Sequence, residues 1–275
     1  MAGEWSNLKE VARTLDVHYM TAYRYVRQGR LPATWVDNGW QVHRDDLAEF
    51  VASPGRTLDQ APVDWAARFA PHLVNGDEPG AWSVIESALA AGVDARGCYL
   101  GVLSAALEQL GEVWATGSDD DHVDQRLATA TALRIVHRLG ARFTRPGRRK
   151  GSIVLGSPIG ERHTLPVAIA ADLIRLAGFT VLELGADVSS ETFVAAAQRT
   201  ERLVAVGISL TTAEGLDAAL HVQRRLAEEL PDVPVIVGGQ AIANAEVAAM
   251  VGSAAWAANG ADLVDVLDEL ARAHR

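Results

Sequence analysis

The chain has 275 residues, 49% hydrophobic and 22% charged, and a formal net charge of −10. That is enough for two or three domains with a sizeable core, in the composition range of a soluble globular protein. No apolar run reaches the ~18 residues of a membrane span, no signal peptide is expected at Met1-Ala2-Gly3-Glu4-Trp5, and a single cysteine, Cys98, excludes an intrachain disulfide or a Cys-based zinc site. A reducing, cytoplasmic location fits this cysteine usage. Residues 1–56 carry as many basic as acidic side chains, so the whole −10 belongs to the remainder. An acidic body repels nucleic acid, so any contact with DNA would have to come from the head.

Leu8, Val11, Ala12 and Leu15 recur at helical spacing and predict a helix over 7–15. After a turn at Asp16-Val17, a second helix is expected from about His18 to Gln28, with Ala22, Tyr25 and Val26 inward and Gly29 as its stop. Two short helices joined by a tight turn form a helix-turn-helix pattern. Residues 31–42 then read as a hairpin turning at Asn38-Gly39. A closing helix starts at Arg44.

Ser53-Pro54-Gly55-Arg56 opens a polar linker that runs to about Pro62. Residues 63–143 read as four helices, marked by Trp65/Phe69/Leu73, by Trp82/Ile85/Leu89, by Tyr99 through Val113, and by Leu127 through Leu139 from a start near Asp119. Short connections favour an antiparallel bundle. Residues 144–151 form a second, basic linker.

Beyond it, strands are expected at Ser152–Ser157, Thr180–Leu184, Leu203–Ser209, Val233–Val237 and Ala254–Ala257, with helices at about 164–177, 189–200, 214–229, 244–251 and 261–273. This alternation predicts a Rossmann-like parallel sheet covered on both faces, with ligands at the carboxyl ends of its strands. The expected organisation is therefore a multi-domain chain: a winged helix-turn-helix head (1–52), a four-helix bundle (63–143) and an α/β domain (151–275). Neither a G-x-G-x-x-G nor a P-loop is present, which removes support for a nucleotide enzyme.

The run Thr21 to Pro32 resembles the winged helix-turn-helix of excisionase and MerR-type regulators. The resemblance implies that the second helix enters the major groove, with Thr21, Tyr23, Arg24 and Arg27 facing outward, and that Arg30 and Asn38 hold backbone phosphates. The other reading of these arginines is a solvated helix face. A single head binds weakly, so DNA binding implies a homo-oligomer, a dimer or a tetramer.

Leu110 to Gly117, followed by Leu127-Ala128-Thr129, resembles the helical cap over cobalamin in corrinoid methyl carriers and light-sensing cobalamin-dependent repressors. The resemblance implies that Trp114 lies over the upper ligand; a core aromatic is the other reading. The Glu-His pair expected in the photoreceptors falls here on Asp124-Gln125, or on Gln125-Arg126 if Leu127-Ala128-Thr129 sets the frame. Neither frame supplies the histidine. His122 is the nearest one, and a solvated residue beside Asp119, Asp120 and Asp121 is the competing reading. Photocobilins, relatives that pair cobalamin with a bilin such as biliverdin, suit a remodelled upper face, although Cys98 reads as packing.

After the first strand the chain reads Glu161-x-His163-x-x-Pro166, after the third Ser209-Leu210-Thr211-Thr212, and after the fourth Gly238-Gly239. The trio resembles the cobalamin-binding fold, whose first loop reads Asp-x-His-x-x-Gly. It implies His163 as the lower axial ligand to the cobalt of adenosylcobalamin or another cobalamin. Glu161 would accept the other imidazole N–H, the benzimidazole tail would leave the metal and thread into the sheet with Ser209 hydrogen-bonding it, Thr211 would line the site, and Gly238 and Gly239 would let the tail pass close to the backbone. Glu in place of Asp keeps the carboxylate. Pro166 suits a first helical turn.

The function expected from these residues is a light-responsive, cobalamin-dependent transcriptional regulator in which the cofactor state controls oligomerisation and DNA binding; the alternatives are a corrinoid methyl carrier serving a methyltransferase, a combined cobalamin/bilin photosensor, and a DNA-binding protein with a vestigial pocket.

Overall fold

A computed structural model describes residues 5–17, 19–27, 31–36, 39–52, 63–115, 122–143, 147 and 149–273. The head begins with strand β1 (Trp5–Asn7) and helix α1 (Leu8–Thr14). The side chain of Asn7 accepts from the Lys9 and Glu10 amides while Glu10 caps Asn7 in return, a capping box that fixes the helix start. Helix α2 (Tyr19–Arg27) follows, then β2 (Thr34–Val36), β3 (Gly39–His43) and α3 (Arg44–Ala52). The sheet is antiparallel in the order β1-β3-β2. Its first strand is absent from the sequence reading, because three residues are too few to show alternation. Leu8, Val11, Ala22, Val26, Leu31, Val42, Leu47 and Phe50 form the core of this segment.

The middle segment holds α4 (Trp65–Val74) and α5 (Glu78–Ala90). A third helix is composite: α6 (Ala95–Gly97), a π-helical stretch (Cys98–Ser104) and α7 (Ala105–Ala115). Helix α8 (His122–Phe143) completes the bundle. The expected start of the last helix near Asp119 falls in 116–121, which lie outside the described residues. Asp64 and Asp77 cap α4 and α5 by accepting from the Ala67 and Gly80 amides. The four helices enclose Phe69, Leu73, Ile85, Tyr99, Leu103, Ile135 and Leu139.

The α/β segment runs β4 (Ser152–Pro158), α9 (Thr164–Leu176), β5 (Thr180–Val188), α10 (Ser190–Gln198), β6 (Leu203–Ser209), a 3₁₀ turn (Ala213–Gly215), α11 (Leu216–Glu229), β7 (Val235–Gly238), α12 (Ala245–Val251), β8 (Ala255–Ala257) and α13 (Gly260–Ala273). The strands are parallel in the order β5-β4-β6-β7-β8. Strands β4 and β6 are buried along nearly their whole length, as central strands of a doubly covered sheet must be. One face packs on α9 and α13 through Ile153, Leu155, Val167, Ala171, Ile236 and Leu267. The other packs on α10, α11 and α12 through Val154, Phe193, Val206, Ile208, Val222 and Val237.

Helix α9 is apolar on two sides. Leu165, Ala168, Ile169 and Leu173 join the bundle core, while Val167, Ala171 and Ile174 join the sheet core. Each such Leu, Ile or Val contributes about 1.5–3 kcal/mol by leaving water. Gly140 of α8 allows close approach, since a Cβ there would meet Asp172 Oδ2 at 2.4 Å. Asp172 is buried and accepts from the Tyr99 hydroxyl at 2.7 Å and from Arg175 at 2.8 Å. Arg175 continues to Glu183 at 2.8 Å.

Candidate functional site

The strand order is that of a doubly wound sheet whose chain reverses between β4 and β6, the place where such sheets bind ligands. The loops leaving those two strands meet at Glu161. Its side chain is 1% exposed. One carboxylate oxygen accepts from the His163 amide at 3.0 Å and stands 2.5 Å from His163 Nδ1. The other accepts from the Thr211 and Thr212 amides at 2.7 and 3.0 Å. Burial pushes this carboxyl up, but the hydrogen bonds from His163, Thr211 and Thr212 outweigh it and hold it below the ordinary glutamate value.

An ionised carboxylate only accepts, so Nδ1 of His163 is the donor in this contact, and in the neutral imidazole Nε2 is the nitrogen that keeps a lone pair. His163 occupies the N-cap position of α9 without capping it, because its ring is engaged by Glu161. Its side chain is 54% exposed. A half-exposed imidazole oriented from behind by a buried carboxylate has the arrangement in which a histidine can ligate a metal. Among the described residues, no cluster of three or more His, Cys, Asp and Glu is arranged to hold a metal ion. A lone imidazole therefore suits a metal that arrives with its other ligands already in place.

The third loop is held by Asp187, a residue at φ +59° near the end of β5. Its side chain accepts from the Gly160 amide at 2.7 Å, and its own amide donates to the Glu161 carbonyl at 2.8 Å. Beside β6, the Leu210 amide donates to the Gly238 carbonyl at 2.9 Å, and the Leu210 carbonyl accepts from Ala241 at 3.1 Å. Gly239, at φ +105°, lies so close that a Cβ there would stand 2.2 Å from the Leu210 carbonyl oxygen. Ser209 is buried and Gly238 half-buried beside it in register. Thr211 reaches Glu161 through its main chain.

Sequence reasoning missed Ser157, Asp187 and Thr212 at these strand ends. A serine closing the apolar run Ile153-Val154-Leu155-Gly156 was the available signal for the first. Thr212 acts through its amide, and Asp187 through both its carboxylate and its amide, in contacts between distant loops that no spacing reveals.

At the bundle, Gly140 lies against Asp172, and Phe143 lines the same cavity as Leu176. Helices α8 and α9 thus run in the same direction. About two turns of α8 project past the level of His163, given a rise of about 1.5 Å per residue. That projecting end carries His122, Asp124 and Gln125, of which the first two are exposed and the third half-buried. Trp114, at the adjoining end of α7, is half-buried and packs against the bundle core. Val123 and Leu127 are exposed large apolar side chains on the same end.

In the head, Thr21 is half-buried. Tyr23 departs from the outward position expected of it, because it packs partly buried against the core of the head. Arg24 and Arg27 lie on α2; Arg30 and Asn38 lie outside the described residues.

Comparison with known proteins divides the chain along these lines. Residues 151–266 match the B12 binding domain family, and residues 65–118 match a second family of the same description. Residues 7–54 match the helix-turn-helix domain family. Trimethylamine corrinoid protein 2 of Methanosarcina mazei is 30% identical over 172 residues, 59% of this chain and 76% of that one. Trimethylamine corrinoid protein 1 of Methanosarcina acetivorans is 29% identical over 176 residues, 61% of this chain and 79% of that one. The monomethylamine corrinoid protein of Methanosarcina barkeri shares the fold with a TM-score of 0.62 at 21% identity, over 74% of this chain and 96% of that one.

Proposed function

This chain belongs to the B12-binding corrinoid proteins, and from that membership we propose that residues 63–273 hold a cobalamin with His163 as the lower axial ligand to cobalt. The observation that carries the proposal is the Glu161–His163 pair, which leaves one imidazole lone pair free at the ligand-binding end of the sheet. Three further features fit the cofactor. Gly239 has no room for a side chain beside Leu210. Small residues line the sheet below it. Ser157 Oγ is buried without a hydrogen-bond partner. Once bound, the cobalt supplies an axial position able to take up and release a carbon group.

The relatives' corrinoid descriptions favour the first reading of purpose: a corrinoid carrier that presents a methyl group to a methyltransferase. In that reading His163 and Glu161 anchor the cofactor from below, and the projecting ends of α7 and α8, with Trp114, cover it from above. The carrier itself performs no turnover. The helix-turn-helix match over 7–54 favours a second reading. There the bound corrinoid controls association of the chain and its grip on DNA, with light as one candidate signal. A bilin has less support. Cys98 is fully buried, and burial pushes its thiol up to about 11, which leaves no thiolate for attachment at neutral pH.

The test is reconstitution of the full chain with cobalamin, removal of free ligand and visible spectroscopy, with His163→Ala alongside. Retention by the wild type and a loss of at least tenfold in the variant is expected, in line with the metal-ligand couplings of histidine sites. Equal retention by both sinks the assignment of His163. The readings separate on two assays. Methyl transfer to and from bound cobalt supports the carrier. A DNA mobility shift that changes on loading or illumination supports the regulator.

A further inference from the structure

Where the helical bundle meets the sheet, at the end away from His163, the described residues surround a cavity of about 600 Å³. Helix α9 runs 13 residues from beside His163 to Leu176, so the cavity lies about 18 Å along it from the candidate corrinoid site. Its volume falls within the range of about 300–1,000 Å³ found for small-ligand sites, which form preferentially at junctions of this kind. Four parts of the chain supply an apolar wall: Val93 from the turn after α5, Phe143 from the end of α8, Leu176 from the end of α9 and Val264 from α13. None of the four is fully buried, so the wall is left open by the packing of bundle against sheet.

The charge at this cavity is opposite in sign to that of the body. Arg96, Arg149 and Arg175 line it against a single carboxylate, Asp94, in a chain of net charge −10. Asp94 is committed to capping α6, where its side chain accepts from the Gly97 amide at 2.7 Å. Residues 142–150, which include Arg149, hold five Lys or Arg and no Asp or Glu. Arg175 is anchored by Asp172 and Glu183, each at 2.8 Å. Asp172 in turn accepts from the Tyr99 hydroxyl of the bundle at 2.7 Å.

We propose that this cavity binds a small amphipathic anion: a carboxylate, sulfonate or phosphate carried on an apolar ring or chain. The apolar body covers the wall of Val93, Phe143, Leu176 and Val264, and the anionic group takes the guanidinium donors of Arg96 and Arg149. The planar fork of a guanidinium matches two oxygens of such a group. A neutral apolar molecule leaves these cations without a counter-charge, and an inorganic anion leaves the wall wet. A ligand with both parts satisfies both. The site is separate from His163 and does not depend on the corrinoid reading. Through Arg175 and Asp172 it adjoins the Tyr99 contact that joins the bundle to the sheet.

The experiment is fluorescence titration of the full chain with anilinonaphthalene sulfonate and with phenylnaphthylamine, which has the same aromatic body without the sulfonate. Wild type is compared with the double variant Arg96→Gln/Arg149→Gln and with Ala95→Phe, which narrows the cavity without changing its charge. Thermal unfolding checks that each variant folds. The expected result is a single site in the wild type that prefers the sulfonate about tenfold, the worth of one charge-assisted hydrogen bond. The double variant loses that preference and binds the neutral amine as before, and Ala95→Phe weakens both probes. Equal affinity of the wild type for the two probes, no binding of the sulfonate, or sulfonate binding that neither variant alters overturns the proposal. The last outcome places the probe elsewhere, and none of the three bears on the role of His163.

Discussion

Glu161 stands 2.5 Å from His163 Nδ1 with one oxygen and bonds the Thr211 and Thr212 amides with the other. A single buried carboxylate therefore sets the tautomer of the imidazole and ties the loop after β4 to the loop after β6. The ligand position is held by the sheet, not by a free loop. The longer reach of glutamate over aspartate is used here on the neighbouring strand.

Glu161→Ala removes the acceptor from three amides, those of His163, Thr211 and Thr212, and from an imidazole. The expected cost is about 3 kcal/mol of stability, since each stranded donor loses about 1–3 kcal/mol. Denaturant unfolding of the apo protein measures it. Glu161→Gln keeps the shape but presents an amide NH₂ to at least one N–H, so it is expected to fall between wild type and alanine. A stability equal to wild type in both variants contradicts the bridging role.

Tyr99→Phe tests the junction of bundle and sheet. Burial, reinforced by Asp172, pushes the Tyr99 hydroxyl far above its ordinary range, so it stays a donor at any working pH. Its loss leaves Asp172 with Arg175 alone. We expect a cost of about 2 kcal/mol, within the range for a hydrogen bond to a charged group. Two separated unfolding transitions in the variant, against one in wild type, would identify the contact as the coupling between the two units.

Gly239→Ala combines a positive φ with a Cβ 2.2 Å from a backbone oxygen. Strain of about 1–3 kcal/mol is expected from the backbone angle, with the Leu210 segment displaced in addition. Corrinoid retention and thermal unfolding should fall together. Gly92→Ala, at a positive φ with nothing within 4 Å of its Cβ, is the control for strain alone and should keep full retention.

Cys98 should resist alkylation in the folded protein. It is fully buried, and desolvation followed by the charge of Asp94 raises its thiol to about 11. Iodoacetamide labelling followed by mass spectrometry should show modification only under denaturing conditions. Rapid labelling of native protein would mean that the bundle opens at the π-helical stretch.

Much of this was legible in the chain itself. The β-branched runs at 152–157, 180–184 and 203–209 and the amphipathic stretches between them predict the parallel sheet, because strand and helix periods differ and are local. Strand β5 extends to Val188, beyond the expected Leu184, because Gly185 and Asp187 adopt positive φ and keep the strand paired through an irregular register. The π-helical stretch at Cys98–Ser104 gives no sequence signal, since its extra residue per turn is absorbed by packing around Tyr99.

Residue order alone establishes that a histidine and a carboxylate two residues apart follow the first strand of an α/β unit, and that serine and paired glycines follow the third and fourth. These are statements about neighbours along the chain. That β4 lies between β5 and β6, that Glu161 reaches Thr211 and Thr212, and that Ser157 stands beside Ser209 are outcomes of folding in three dimensions. Strand order and register depend on long-range burial of both sheet faces, and no local period encodes which strand becomes whose neighbour.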